Sequence, residues 1–225
     1  MAKKMRNLSV LLCVVFLTSC AGLGRYTLRP PENKVPAGTK QVVMVVARGN
    51  GSKAVVAAWE RSSSGWQRVL GPWSAAVGRS GFAPEGEKRE GDGRTPSGLF
   101  GIGPAFGREE NLQTGLAYRK MTSDDFWVDD VNSPNYNHWV QGIPQAGSYE
   151  HMLRSDGLYN VGAVIRYNMD PPVPGQGSAI FFHIWREGGR KPTAGCVAMD
   201  EGYLRKLLAW LDADKDPVAW LGSRN

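Results

Sequence analysis

Cys196 stands in the run Phe181-Phe182-His183-Ile184-Trp185 … Lys191-Pro192-Thr193-Ala194-Gly195-Cys196-Val197-Ala198-Met199, thirteen residues after His183. A thiol beside an imidazole suits one kind of chemistry. The sulfur attacks an electrophilic carbonyl, and the His takes and later returns the proton. Of three cysteines, Cys13 falls in an apolar N-terminal leader and Cys20 at its end. After export, Cys196 would be the sole free thiol. An unpaired thiol is a liability in an oxidising compartment. Keeping one in a Gly-containing turn argues that the sulfur is used. Residue types alone leave an inert buried Cys and a packed His equally open.

The elements around the pair are legible. Ala179–Trp185 reads as a strand that holds His183 on a rigid element. Glu187-Gly188-Gly189-Arg190-Lys191-Pro192 reads as a polar turn that doubles the chain back towards Cys196. Gly195 lets backbone approach a substrate with no Cβ in the way. The amides of Gly195 and Cys196 would point at a developing oxyanion. Asp200 caps a helix whose Leu204, Leu207, Leu208 and Leu211 follow i, i+3, i+4, i+7 spacing. Its positive end and a protonated His183 would lower the thiol pKa.

Elsewhere the chain reads as strands between Gly/Pro turns. Gln41–Ala47 is a Val-rich buried strand, and Ala54–Glu60 with Trp66–Leu70 is spaced as a hairpin. Tyr159–Tyr167 is a further strand. Gly and Pro punctuate the chain up to residue 107, and residues 108–157 are polar with weak periodicity, a long loop region. The fold class expected is mainly β, a sandwich or barrel with a few helices.

Lys3, Lys4 and Arg6 precede a short apolar run, Leu8 to Phe16, and then Leu17-Thr18-Ser19-Cys20-Ala21. Residues 1–19 read as a lipoprotein signal peptide, with cleavage before a lipidated Cys20. An ordinary secretory peptide with an incidental Cys is the alternative, and the flanking pattern favours the lipoprotein reading over it. Residues 20–40 read as a lipidated start and flexible tether, rich in Gly and Pro. Residues 41–225 form one domain. Losing the leader leaves 24 Lys+Arg against 21 Asp+Glu, and no basic run suggests nucleic-acid binding. The address expected is the cell envelope, membrane-bound through Cys20, on the periplasmic face of the outer membrane if the cell has two.

The stretch from Phe181 to Met199 resembles the signature of bacterial L,D-transpeptidases, the YkuD-like family: a His on a strand, a variable loop, then Ser/Thr-x-Gly-Cys and an apolar residue. Thr193-Ala194-Gly195-Cys196-Val197 matches it. A second block, Val77-Gly78 leading to Glu90-Gly91-Asp92-Gly93-Arg94-Thr95-Pro96-Ser97-Gly98-Leu99-Phe100, resembles the family's D-G-R-T-P-x-G-x-F segment. The resemblance covers roughly residues 41–220. It implies a β-rich fold and attack by Cys196 on the L-to-D bond of a peptidoglycan tetrapeptide stem. D-alanine leaves, and the acyl group passes to an amine. His183 would be base and acid, the Ile184 carbonyl would orient it, Thr193 takes the Ser/Thr position, and Gly195 with Cys196 supplies oxyanion amides. It further implies cell-wall cross-linking or remodelling, no cofactor, and labelling of Cys196 by carbapenem-like β-lactams. Many members have His-Gly where this chain has His183-Ile184, a His at Ala194, and an Arg at Ala198. These departures bear on substrate contacts more than on nucleophile and base. A Thr-Ala-Gly-Cys-Val subgroup is more similar.

Candidate substrate contacts lie outside the motif: Asp129 and Asp130 for a cationic acceptor, Tyr136 and Asn137, Tyr167 and Asn168, and Arg94 and Arg186 for carboxylates. Turn chemistry explains the Asp and Asn residues equally well. Glu150, His151 and His138 read as surface or loop residues. Trp73, Trp139 and Trp185 suit either a groove or the core. Three alternatives remain: hydrolysis on the same scaffold (an L,D-carboxypeptidase or endopeptidase), a non-catalytic envelope-binding lipoprotein, and a zinc peptidase. The last is disfavoured by three scattered His and no His-Glu-x-x-His.

Overall fold

A computed structural model describes residues 29–222. The leader, Cys13 and the proposed lipid site at Cys20 lie outside the described residues. Among the described residues twelve strands occur: β1 (Gln41–Ala47), β2 (Lys53–Ser62), β3 (Gly65–Ala76), β4 (Gly98–Gly107), β5 (Tyr118–Lys120), β6 (Asp125–Val128), β7 (Trp139–Gln141), β8 (Tyr149–His151), β9 (Val161–Ile165), β10 (Phe181–Ile184), β11 (Val197–Met199) and β12 (Val218–Gly222). Among the described residues there is one α-helix, α1, spanning Glu201–Trp210.

The large sheet runs β12-β1-β2-β3-β11-β10-β9-β4-β5, and β12 also pairs with β4. That pairing closes the sheet on itself, so the mainly-β expectation resolves into a barrel with β5 appended. Inside lie Val43, Val45, Val56, Ile102, Phe182, Val197 and Met199, plugged by Leu204, Leu207 and Leu208 of α1 and by Leu211 just after it. The apolar stripe read for α1 therefore fills the barrel, and Asp200 caps it by accepting from the Gly202 and Tyr203 amides. β1 is apolar at nearly every position because both its faces are covered. Val43 and Val45 face the interior, while Val42, Met44 and Val46 pack under Trp66 and Val35.

That last contact revises the tether. Val35 and Thr39 are buried, and the Lys40 amide donates to the Lys215 carbonyl at 2.9 Å. From about residue 30 the chain is part of the domain. Two strands also exceed their sequence reading. β3 continues through Gly71-Pro72, where its register with β2 shifts between Val56 and Ala58. Gly71 has φ +78°, and a Cβ there would lie 2.6 Å from the Val56 carbonyl oxygen. β4 runs through Gly101 and Gly103-Pro104, with a register shift against β9 between Ile102 and Ala105. Gly and Pro mark bulges in a closed sheet here, not strand ends.

Residues 108–157 are more ordered than their weak periodicity suggested. β6 pairs with both β7 and β8 in a separate three-stranded sheet. It packs outside the barrel through Trp127 and Met152, against Phe106, Phe181 and Cys196.

Candidate active site

The catalytic candidates are placed by strand alternation. β10 and β11 pair in parallel, with Phe182 opposite Val197 and His183 opposite Ala198. The chain between Trp185 and Gly195 returns to the start of β10, so the doubling back expected of the turn at 187–192 produces a parallel pair. Phe182, Val197 and Met199 point into the barrel, so Phe181, His183, Cys196 and Ala198 take the outer face. Neighbouring strands set two residues apart in register put the two Cα atoms about 8 Å apart, a span that a His and a Cys side chain can bridge. His183 and Cys196 line one cavity of about 320 Å³.

The second sequence block buttresses the first. Gly78 bridges to Thr193, the Thr193 amide donates to Val77 O and the Arg79 amide to Thr193 O. Thr95, fully buried, accepts from the Gly78 amide at 2.9 Å. A Cβ on Gly78 would lie 2.3 Å from the Gly93 carbonyl oxygen, so the close approach of the two segments requires glycine. Thr193 closes the nucleophile turn: its hydroxyl donates to Cys196 O at 2.7 Å and accepts from the Gly195 amide at 3.1 Å. Gly195 serves this packing too, since a Cβ there would meet Arg94 O at 3.0 Å and Ile180 Cδ1 at 3.1 Å. The room it makes is filled by protein, not left for substrate, and its amide is already satisfied.

His183 Nδ1 lies 2.8 Å from the Ile184 carbonyl oxygen. A carbonyl only accepts, so Nδ1 carries the hydrogen and Nε2 keeps its lone pair. Tyr159 packs edge-on against the imidazole at 5.4 Å between centroids, and its hydroxyl donates to Glu150 at 2.7 Å. The Cys196 S–H donates to the Ala179 carbonyl at 3.1 Å, and the sulfur accepts from the Phe181 amide at 3.4 Å. Burial lowers the His183 pKa to about 4. Burial, reinforced by the Glu150 carboxylate, pushes the thiol up to about 12. The expected lowering by the helix does not occur, because α1 starts at Glu201, a full strand beyond Cys196. Helix-end effects fade within a turn, and desolvation wins. The resting pair is neutral thiol and neutral imidazole.

The cavity gathers some of the candidate substrate contacts and excludes others. Asp129 and Arg186 line it. Asp129 Oδ1 is buried with no hydrogen bond, and Arg186 pairs with Asp156 at 3.0 Å. Asp130 instead ties a loop, accepting from the Asn132 and Gly147 amides. Tyr136 is buried behind the wall, its hydroxyl donating to Glu90 at 2.5 Å. Asn137, 1 % exposed, accepts from Trp127 Nε1 and the Ala179 amide and donates to the Tyr167 and Asn168 carbonyls. It thus holds the segment that receives the thiol hydrogen. The Tyr167 hydroxyl donates to Gln176 O, and Asn168 staples its own loop through Val173 and Gly177. Arg94 does not line the cavity, and its carbonyl oxygen packs beside Gly195. These residues organise loops because Asp, Asn and Tyr satisfy backbone groups there.

Lining residues that the sequence did not single out include Arg79, Lys88, Glu90, Glu150, Arg154 and Tyr159. Glu150 is not the surface residue that its polar surroundings in sequence suggest: burial raises its pKa, opposed by the Tyr159 hydroxyl. No periodicity marked it, since β8 is three residues long. Trp73 stacks on Tyr203 and Trp139 packs against Phe106 and Trp127. None of the three Trp residues considered for a groove lines the cavity.

A model of the YkuD family, the L,D-transpeptidase catalytic domain, matches residues 54–219, about three quarters of the chain. The chain belongs to that family. Its matched span takes in both buttressing block and nucleophile turn, and the mainly-β barrel agrees with it. No curated protein and no solved structure matches the chain. Membership of the YkuD family makes peptidoglycan stem peptides the family substrate and an L,D-transpeptidase the family enzyme.

Proposed function

We propose that this protein is a cysteine-dependent L,D-transpeptidase that works through a Cys196 thioester on peptidoglycan stems. The observation that carries the reading is the shared cavity. Cys196 and His183 project from adjacent parallel strands into it, and the imidazole tautomer leaves Nε2 free to take a proton. With a neutral resting pair, deprotonation accompanies attack. Sulfur bonds to the carbonyl carbon at the L-to-D bond as Nε2 takes the thiol proton and the π pair moves to oxygen. Collapse breaks the C–N bond, and the imidazolium returns the proton to departing D-alanine. An acceptor amine then repeats the sequence in reverse on the thioester. Thr193 and Ile184 act as positioning residues, the first on the turn and the second on the ring. Cross-linking or remodelling of the wall is the outcome, and no cofactor enters any step. Export and anchoring through a lipid on Cys20 would bring the domain to this substrate.

The test is mass spectrometry of tetrapeptide muropeptides incubated with the purified protein, beside Cys196→Ala. D-Alanine loss with new cross-linked dimers, absent in the variant, supports transfer. Tripeptides without dimers would assign hydrolysis to the same site. Full activity in Cys196→Ala would sink the reading.

A further inference from the structure

Lys88 is the one charged side chain in the cavity wall that is almost wholly buried, at 4 % exposure. A lysine is rarely buried so far unless its charge is matched. The match here is partial in number of bonds. Nζ donates to the Arg89 carbonyl at 2.5 Å and to Asp92 Oδ1 at 2.8 Å. An ammonium has three N–H groups, so one remains for the cavity. Two glycines make room for this side chain. A Cβ on Gly177 would lie 3.0 Å from Nζ and 3.2 Å from Cε, and a Cβ on Gly195 would lie 3.8 Å from Cε. Lys88 is therefore threaded to the cavity between the nucleophile turn and the Gly177 loop.

Acylation of Cys196 puts a negative charge on the former carbonyl oxygen, which needs donors already in place. Adjacent amides at the nucleophile are the usual supply, but the Gly195 amide already donates to Thr193 Oγ1 at 3.1 Å. The Cys196 amide has no acceptor among the described residues. One donor is left where two or three would serve.

We infer that Lys88 is a further catalytic residue, whose buried ammonium donates to the tetrahedral oxyanion formed on Cys196. The inference rests on the acyl-transfer reading above. As the C–S bond forms and the carbonyl π pair moves to oxygen, the third N–H of Lys88 joins the Cys196 amide on that oxygen. On collapse the pair returns to carbon and the contact weakens. No proton leaves Lys88. The same charge favours sulfur as it gains negative character, in line with the pull of Lys88 on the Cys196 thiol. Asp92 holds the ammonium in place and is itself anchored by the Arg89 and Arg94 amides.

The test measures kcat and KM for D-alanine release from tetrapeptide muropeptides, with melting temperatures, for wild type, Lys88→Met, Lys88→Gln, Lys88→Arg and Asp92→Asn. Removing one oxyanion donor should cut kcat about 100-fold in Lys88→Met, with KM within about threefold of wild type. Lys88→Gln keeps a donor without the charge and guards against a folding failure of the Met variant. It should fall between Met and wild type, and Lys88→Arg should rescue more than Gln does. Asp92→Asn keeps its backbone acceptor role and should lose about tenfold or less. Three results would overturn the assignment: kcat preserved in Lys88→Met and Lys88→Gln; a rise in KM alone, which would make Lys88 a carboxylate anchor; or equal losses in Lys88→Met and Asp92→Asn with equal falls in melting temperature. Absence of Cys196-dependent turnover in wild type would instead remove the acyl-transfer reading itself.

Discussion

Residues 181–199 and residues 108–157 face each other across one cavity and reach it by different routes. The first region does so locally. Two short parallel strands in a closed sheet set the faces of His183 and Cys196 by alternation alone, and the intervening turn is tied by Thr193. The second region contributes Asp129, Glu150 and Arg154 from a three-stranded sheet, with strands of three or four residues, and the segments that leave it. Those strands are held in place by side-chain bonds over long sequence separations, such as Asn137 to Ala179 and Tyr136 to Glu90. The comparison teaches that the reacting atoms need little sequence to be placed. The wall that meets substrate needs a network.

The strongest challenge to the first region is His183→Ala. Loss of the general base should lower the rate of D-alanine release by about 10² to 10⁴ and leave the melting temperature close to wild type. A loss under tenfold would mean that another group serves as base.

For the second region the corresponding variant is Asn137→Ala. It leaves the Trp127 indole and the Ala179 amide without their acceptor and should cost about 2–4 kcal/mol in urea unfolding. Activity should fall with it, because Ala179 supplies the carbonyl that receives the Cys196 S–H. An unfolding change under about 0.5 kcal/mol would show that the polar wall does not depend on this staple.

The neutral resting pair gives the comparison a pH signature. The His183 pKa lies near 4 in the folded protein against 6.5 ordinarily. The unfolded chain then binds the extra proton first, so this contribution is present above 6.5 and lost as pH falls towards 4. The Cys196 pKa is raised from 9.0 to about 12. Its contribution is present below 9.0 and lost as pH rises towards 12. Urea unfolding across pH should show the acid limb flattened in His183→Gln and the alkaline limb flattened in Cys196→Ala. Unchanged limbs would contradict the burial of the pair. Alkylation of resting Cys196 at pH 7 to 8 should likewise be slower than that of a free thiol.

The smallest effect belongs to Arg186→Ala. Its ion pair with Asp156 is half exposed, at 54 % for the Arg side chain, and Arg154 remains to hold Asp156 at 2.6 Å. Stability should change by less than about 1 kcal/mol. A larger loss would mean that the Arg154–Asp156–Arg186 group supports the cavity wall.

Much of the fold and of the placement of Cys196 and His183 was legible because short-range rules govern them. Val-rich β1, the capped Leu stripe of α1 and the order His183, Thr193, Gly195, Cys196 each announce themselves within a few residues. β4 and the second half of β3 were hidden behind Gly-Pro pairs that local rules read as stops. The substrate candidates fared worst. Asp130, Asn137, Tyr167 and Asn168 have the right chemistry for a ligand, and the structure uses that chemistry on backbone amides and carbonyls, while the Tyr136 hydroxyl is taken by Glu90. Nothing local in Glu150, Lys88 or Tyr159 foretells that they meet at Cys196, since 46, 108 and 37 residues respectively separate them from it in sequence.

The sequence by itself determined the chemistry on offer: a His and a Cys thirteen residues apart in one motif, and two motif blocks in order. Those are local patterns, and periodicity and spacing carry them. Only the tertiary structure decided that the strands pair in parallel, that the Gly195 amide is occupied, and that the thiol rests protonated rather than activated. The physical reason is that burial and hydrogen-bond satisfaction are sums over neighbours from distant parts of the chain. Closing the barrel through β12 and β4 decides who those neighbours are.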